Sequence, residues 1–334
     1  MDVTHFLSAV ARKKASGGGG GGGSNVDEAF FGGGTSSVSP QSGASSNVID
    51  YFDRTSTSGN ATDRGDLTVA RRGMCGVHDG SNGFWMGANS TNNVIDYVDI
   101  TTTSGNATDV GDCNASGGLS AGVQGSTYGY KCGGTVGAGP NGGNYTNAIE
   151  YITLATTSQN GTDKGDLTNN HAGVTGVSGD TYGFVAGGAI TMPMGKEDDF
   201  MSQNTIDYFD TNTTSGNSSD KGDLSVTKRS AGGVSGASYG FFCGGSTDQQ
   251  SSWASGGSNV IDYIDITTQS GNATDRGDLT ASLQTSGTDS NGYTNGIVGA
   301  GSTFDYFDVT TTTGNGTDRG DRSVTNLYHA ACSN

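Results

Sequence analysis

The stretch NVIDYIDITTQSGNATDRGDLT, residues 259–280, decides the fold. Val260, Asp262, Ile264 and Ile266 alternate with Ile261, Tyr263 and Asp265, a period of two that belongs to a strand rather than a helix. The same pattern returns as NVIDYFDRTSTSGNATDRGDLT from Asn47, NVIDYVDITTTSGNATDVGDCN from Asn93, NAIEYITLATTSQNGTDKGDLT from Asn147 and NTIDYFDTNTTSGNSSDKGDLS from Asn204. A sixth copy, FDYFDVTTTTGNGTDRGDRS, starts at Phe304. Five intervals separate Tyr51 from Tyr306, and they average 51 residues, the length of a four-stranded repeat unit.

Working outward, a second strand precedes each alternating one. YGYKCGG at Tyr128, YGFVAGG at Tyr182 and YGFFCGG at Tyr239 end in a glycine pair suited to a tight turn. A glycine-rich strand such as SAGGVSG at Ser230 lies before that, and the Gly-Asp-Leu segment supplies a fourth, outer element. The chain ends in LYHAACSN, which matches the first strand of a unit, while Phe30 to Gly34 match the second strand. The two termini together therefore make one split unit. These features predict an all-β fold, a six-bladed propeller of four-stranded blades with its ring closed by strands from both ends.

The glycine pair, the Asp-Tyr strand and the Gly-Asp-Leu resemble kelch-like repeats over residues 25–334, with Arg72 and Arg229 where such repeats often carry an arginine. The outer-strand tryptophan of that family is missing. The Gly-Asn-Ala-Thr-Asp-x-Gly-Asp units also resemble glycine-rich repeat proteins of marine bacteriophages and bacteria. That resemblance implies a virion structural protein, a tail fibre or capsid decoration, attached to other virion proteins and contacting a host-surface glycan or protein. The alternatives are a kelch-like protein-interaction scaffold, cytoplasmic or exported, and a propeller enzyme.

Ahead of the repeats, Val3, Phe6, Leu7 and Val10 share one face of a predicted short helix within residues 1–16, a candidate anchor. Residues 17–24 form a glycine linker. Arg12, Lys13 and Lys14 follow the apolar residues, the reverse of a secretion signal.

Composition excludes several classes. With 60 glycines, 3 prolines, 31% hydrophobic residues and a formal charge of -17, the chain lacks the basic surface that nucleic acid requires. No apolar run is long enough for a membrane helix. Five cysteines without regular spacing make no disulfide framework, and Cys132 and Cys243 read as small buried apolar residues. His5, His78, His171 and His329 share no repeat register and form no metal or nucleophile motif, so no cofactor and no enzymatic role are expected.

Three readings compete for the Gly-Asp turn. Arg319-Gly320-Asp321 is an adhesion tripeptide, yet the residue before Gly-Asp is Arg64, Val110, Lys164, Lys221, Arg276 or Arg319. The invariant residues are Gly65, Gly111, Gly165, Gly222, Gly277 and Gly320, followed by Asp66, Asp112, Asp166, Asp223, Asp278 and Asp321. Their recurrence points to a structural turn. Asn60, Asn106, Asn160, Asn217, Asn272 and Asn315 occupy glycosylation sequons that are also turn sequences. Pairs such as Asp63 and Asp66 offer oxygen ligands for calcium, without the spacing of an EF-hand.

Inserts at 135–147, 189–203 and 246–258 follow the glycine pair in three units. Their Tyr145, Met192, Met194, Phe200, Met201 and Trp253 are the candidate binding rim.

Overall fold

A computed structural model describes residues 28–334 apart from 36–43, 54–55, 57, 89–91, 137–143, 192–199, 248–255, 284–286, 291–294, 327–329 and 334. The predicted N-terminal helix with Val3, Phe6, Leu7 and Val10, and the glycine linker, lie outside the described residues. Among the described residues every element is a strand.

The strands form five antiparallel sheets. One holds Ala330–Ser333, Glu28–Gly32, Val48–Asp53 and Thr62–Asp66, so the first and last described strands share a sheet. The next holds Cys75–His78, Asn82–Met86, Val94–Asp99 and Thr108–Asp112. A nine-stranded sheet follows, because Thr162–Ser178 runs on from the outer edge of one repeat into the first strand of the next. A four-stranded sheet contains Gly232–Ser235 to Thr274–Leu283, and a three-stranded one contains Gly287–Ser290, Asn295–Asp308 and Thr317–Asn326.

This corrects the expected architecture. Among the described residues the six repeats fall into five unequal sheets rather than six blades, and no sheet curls round to close on itself. The closed six-bladed, kelch-like propeller is replaced by an all-β arrangement of separate open sheets. The repeat does govern the local structure, but side chains and loops, rather than a closed sheet, join one unit to the next.

The cores are also repeated and local. In the alternating strand Ile261 and Asp262 are both buried, with Asp265 exposed, so simple alternation between an apolar and a polar face does not hold. Phe241, Ile261, Leu279, Phe307 and Val309 form one cluster, and Phe84, Ile95, Cys113 and Ile152 belong to another. Each cluster contains residues from two successive repeats, which is how burial of one unit depends on its neighbour.

First strands of neighbouring repeats meet at three levels. At their start a residue in the left-handed region bends the chain: Gly73 (φ 68°), Leu119 (φ 57°), Gly173 (φ 68°) and Ser230 (φ 51°). The bend aligns backbone groups across repeats, with Leu119 N–H donating to Gly73 O, Gly173 N–H to Leu119 O and Ser230 N–H to Gly173 O. In the middle, strands approach so closely that a Cβ on Gly122, Gly176 or Gly233 would lie 2.2 Å from a carbonyl of the preceding repeat. At the far end, His78 N–H donates to Gln124 Oε1, Gln124 N–H to Ser178 Oγ and Ser178 N–H to Ser235 Oγ.

Candidate functional site

The Gly-Asp turn is one half of a clasp between repeats. The N–H of its aspartate donates to the sequon asparagine of the following repeat: Asp66 to Asn106 Oδ1 at 3.1 Å, Asp112 to Asn160 at 3.0 Å and Asp166 to Asn217 at 3.0 Å. Asp223 pairs likewise with Asn272 at 3.0 Å, Asp278 with Asn315 at 3.1 Å, and Asp321 of the last repeat with Asn60 of the first at 3.2 Å. In return Ala107, Gly161, Ser218, Ala273, Gly316 and Ala61 donate N–H bonds to those aspartate carbonyls. The sequon asparagines thus serve as acceptors in the inter-repeat contact.

Glycine is required at this edge for two reasons. Gly65, Gly111, Gly165, Gly222, Gly277 and Gly320 have φ between 138° and 150°, and a Cβ there would press on the neighbouring loop. The carboxylate that caps the glycine N–H belongs to the earlier aspartate, as in Asp109 to Gly111 at 3.1 Å and Asp220 to Gly222 at 2.8 Å. This is an Asx turn. Among the described residues no group of three or more His, Cys, Asp or Glu side chains could hold a metal ion, and that set includes the calcium candidates Asp63 and Asp66.

The residue before Gly-Asp completes the clasp. Arg64 lies 5.6 Å from the Phe30 ring centre and donates to the carbonyls of Asp99, Thr102 and Gly105 in the next repeat. Arg276 stacks at 4.9 Å on Phe307 and reaches the carbonyls of Asp308, Thr311 and Gly314. Lys221 reaches Thr268 and Ser270, and Lys164 reaches Thr213, Ser215 and Gly216. Arg319 sits 4.1 Å over Phe52 and donates to the carbonyls of Gly59 and Asp53. Burial lowers the pKa of all five cations, opposed by the nearby acidic groups. Arg319 is only 4% exposed, so the adhesion tripeptide turns its arginine away from any receptor.

Val110 breaks the series, and its neighbour compensates. The loop facing Val110 carries Gln159 where its sisters have glycine. The Gln159 amide donates to the carbonyls of Thr153 and Thr156, and its oxygen accepts from Thr153 N–H. Thr153 and Thr156 correspond in register to Asp99 and Thr102, the carbonyls that Arg64 serves. A glutamine within the loop therefore does what an arginine from the preceding repeat does elsewhere. Gln159→Gly should destabilise the fold by about 1–3 kcal/mol, chiefly by leaving the part-buried Thr153 backbone unserved, the Thr156 carbonyl being exposed. Val110→Arg should also destabilise it, and the double variant should recover most of the loss, with a coupling of about 2 kcal/mol in urea unfolding. Strictly additive losses would contradict the exchange.

Behind each clasp lies a buried carboxylate: Asp50, Asp96, Glu150, Asp207, Asp262 and Asp305. Thr68 donates its N–H and hydroxyl to Asp96, Thr168 does so to Asp207 and Thr280 to Asp305. Arg71 pairs with Asp96 at 2.9 Å, Lys228 with Asp262 at 2.9 Å and Lys131 with Glu150 at 3.8 Å. Sequence reasoning missed these residues because it treated the strand aspartates as one face of an alternation and singled out Arg72 rather than its buried neighbour Arg71. The signal was present in the recurrence of Asp or Glu before the strand tyrosine.

The inserts begin as hairpins beyond the glycine pair. Thr135–Val136 pairs with Asn144 and Tyr145, Ala189–Thr191 with Phe200–Ser202, and Ser246 bridges Gly257. Tyr145 is buried with Leu119, Ala172 and Ala189, whereas Met201 is 39% exposed. Phe200 lies in the strand paired with Thr191, and Met192, Met194 and Trp253 lie outside the described residues. Cys75, Cys113, Cys132 and Cys243 are all buried free thiols, and burial pushes Cys75 up to about 11 and Cys113 up to about 12. They are poor nucleophiles as a result.

No family model matches the chain, and no curated protein matches it. The kelch-like resemblance therefore has neither a family match nor the closed architecture behind it. The functions that depended on that architecture are set aside with it: propeller display on a virion, attachment to a host surface, and a kelch-type scaffold.

Proposed function

We propose that the protein is a non-catalytic structural protein, a repeat body whose recurring polar residues maintain its shape. The observation that carries this reading is the clasp: the cation, the glycine, the aspartate and the asparagine that recur along the chain are bonded to the neighbouring repeat. Groups engaged in this way are not poised to meet a substrate, whereas a catalytic centre needs a convergent, asymmetric set of polar groups at an open surface. The conspicuous buried ionic pairs, Arg71–Asp96 and Lys228–Asp262, recur in register and are likewise internal.

Incubation with chromogenic ester, phosphate-ester and glycoside panels is expected to give no turnover above buffer. Hydrogen exchange should show slow exchange at the clasp amides of Asp66, Asp112 and Asp166, comparable to the core strands. Turnover that persists through two orthogonal purification steps, or clasp amides that exchange as fast as free loops, would overturn the proposal.

A further inference from the structure

Asn160 and Asn315 are the two clasp asparagines that are followed by glycine, Gly161 and Gly316. Their sisters Asn60, Asn106 and Asn272 precede alanine, and Asn217 precedes serine, so the clasp tolerates a side chain at that position. Asparagine is chemically labile, and most so before glycine, where no Cβ shields the following nitrogen. Both residues are exposed, so water reaches them.

Loss of the side-chain amide begins when the glycine nitrogen attacks the asparagine Cγ. The N–Cγ bond forms, the Cγ–Nδ2 bond breaks, and Nδ2 leaves as ammonia with the proton that the glycine nitrogen gives up. Water then opens the five-membered ring at either carbonyl, which yields aspartate or isoaspartate. The first step needs a nitrogen that can shed its proton and a Cγ turned toward it. The clasp withholds both. Gly161 N–H donates to Asp112 O at 2.8 Å while Asp112 N–H donates to Asn160 Oδ1 at 3.0 Å. Gly316 N–H donates to Asp278 O at 2.7 Å while Asp278 N–H donates to Asn315 Oδ1 at 3.1 Å. One backbone unit of the preceding repeat thus holds the nucleophile by its proton and the electrophile by its oxygen. The bond to Oδ1 polarises Cγ, but it also fixes the asparagine side chain against the neighbouring repeat.

We infer that Asn160 and Asn315 are latent deamidation sites, silent while clasped and reactive when one repeat lets go of the next. Isoaspartate adds a carbon to the main chain, and both products place a new carboxylate in the clasp of a chain whose formal charge is already -17. The change is therefore a one-way mark of clasp opening, made on the open state and not undone when the contact closes again. This inference rests on the clasp of the proposed structural role and adds a chemical consequence to it.

The test incubates the full chain at mildly alkaline pH, folded or unfolded in guanidinium chloride, and follows both sites by peptide mass and isoaspartate content. Both should react at least about tenfold more slowly in the folded protein. Gly111→Ala, whose Cβ would lie 2.8 Å from Asn160 Oδ1, should speed Asn160 about tenfold and leave Asn315 unchanged. Gly277→Ala, whose Cβ would lie 2.6 Å from Asn315 Oδ1, should do the reverse. Gly316→Ala copies the sister repeats, so it should fold, and in denaturant it should slow Asn315 without touching Asn160. Equal rates in folded and unfolded wild type would overturn the inference, and that comparison stands even where a glycine variant fails to fold. Folded variants that speed both sites alike, or a Gly316→Ala chain as reactive at Asn315 in denaturant as wild type, would overturn it too. Fast reaction in the folded wild type beside slowly exchanging clasp amides would sink this inference alone and leave the structural reading standing.

Discussion

Gly111→Ala should unfold the protein at a much lower urea concentration than Gly105→Ala, although both glycines have positive φ. Gly111 has φ 150° and Gly105 has φ 109°. A Cβ on Gly105 meets nothing within 4 Å, so that variant carries only the cost of an unfavourable backbone conformation, about 1 kcal/mol. A Cβ on Gly111 would lie 2.0 Å from Gln159 O, and the obstruction is backbone rather than a flexible side-chain end. Moving Gln159 away would stretch the Gln159 N–H to Val110 O and Asp112 N–H to Asn160 bonds. A loss of about 3 kcal/mol or more is expected, from backbone strain together with overpacking. Urea unfolding with an unchanged slope would locate the effect in the folded state. Equal losses in the two variants would mean that φ alone selects glycine at the clasp and that close approach of the next repeat does not.

That contrast bears on how far the sequence could be read. Recurrence identified Gly111 and Asp112 as parts of a turn, and a turn glycine is legible because a positive φ has few other solutions. The partner of the turn was not legible, since Gln159 lies 48 residues from Gly111 and the contact is set by how repeats pack. The arginine before Gly-Asp read as the replaceable residue, yet it spans two repeats and is replaced by lysine or by the Val110–Gln159 exchange. The Gly-Asp-Leu segment read as an outer strand, and Thr62–Asp66, Thr108–Asp112, Ser219–Asp223, Thr274–Leu283 and Thr317–Asn326 are edge strands, whereas Thr162–Ser178 lies inside the nine-stranded sheet. The sheet count was not legible. Whether Thr162–Ser178 is one continuous strand or two depends on hydrogen bonds near Gly173, not on residue pattern. The buried carboxylates escaped because alternation assigns a face to each residue but says nothing of a second layer closing over the polar one.

Arg71→Met is the second large effect expected, and it separates a structural ion pair from an incidental one. Arg71 is 2% exposed and Asp96 is fully buried. Removing the guanidinium leaves Asp96 with the two Thr68 donors and strips the carbonyls of Trp85, Gly87 and Val94 of a donor. Breaking such a pair from one side typically costs about 3–5 kcal/mol, because a buried charge is left uncompensated. The comparison within the molecule is Asp305, which receives the same two bonds from Thr280 and has Leu283 at the position equivalent to Arg71. Asp305 is 7% exposed, so water can take part of its charge, whereas Asp96 has no such access. Adding Asp96→Asn to Arg71→Met should therefore recover part of the loss, since it removes the stranded charge while keeping an acceptor for Thr68. A loss below about 1 kcal/mol in Arg71→Met would show that Thr68 alone satisfies the carboxylate.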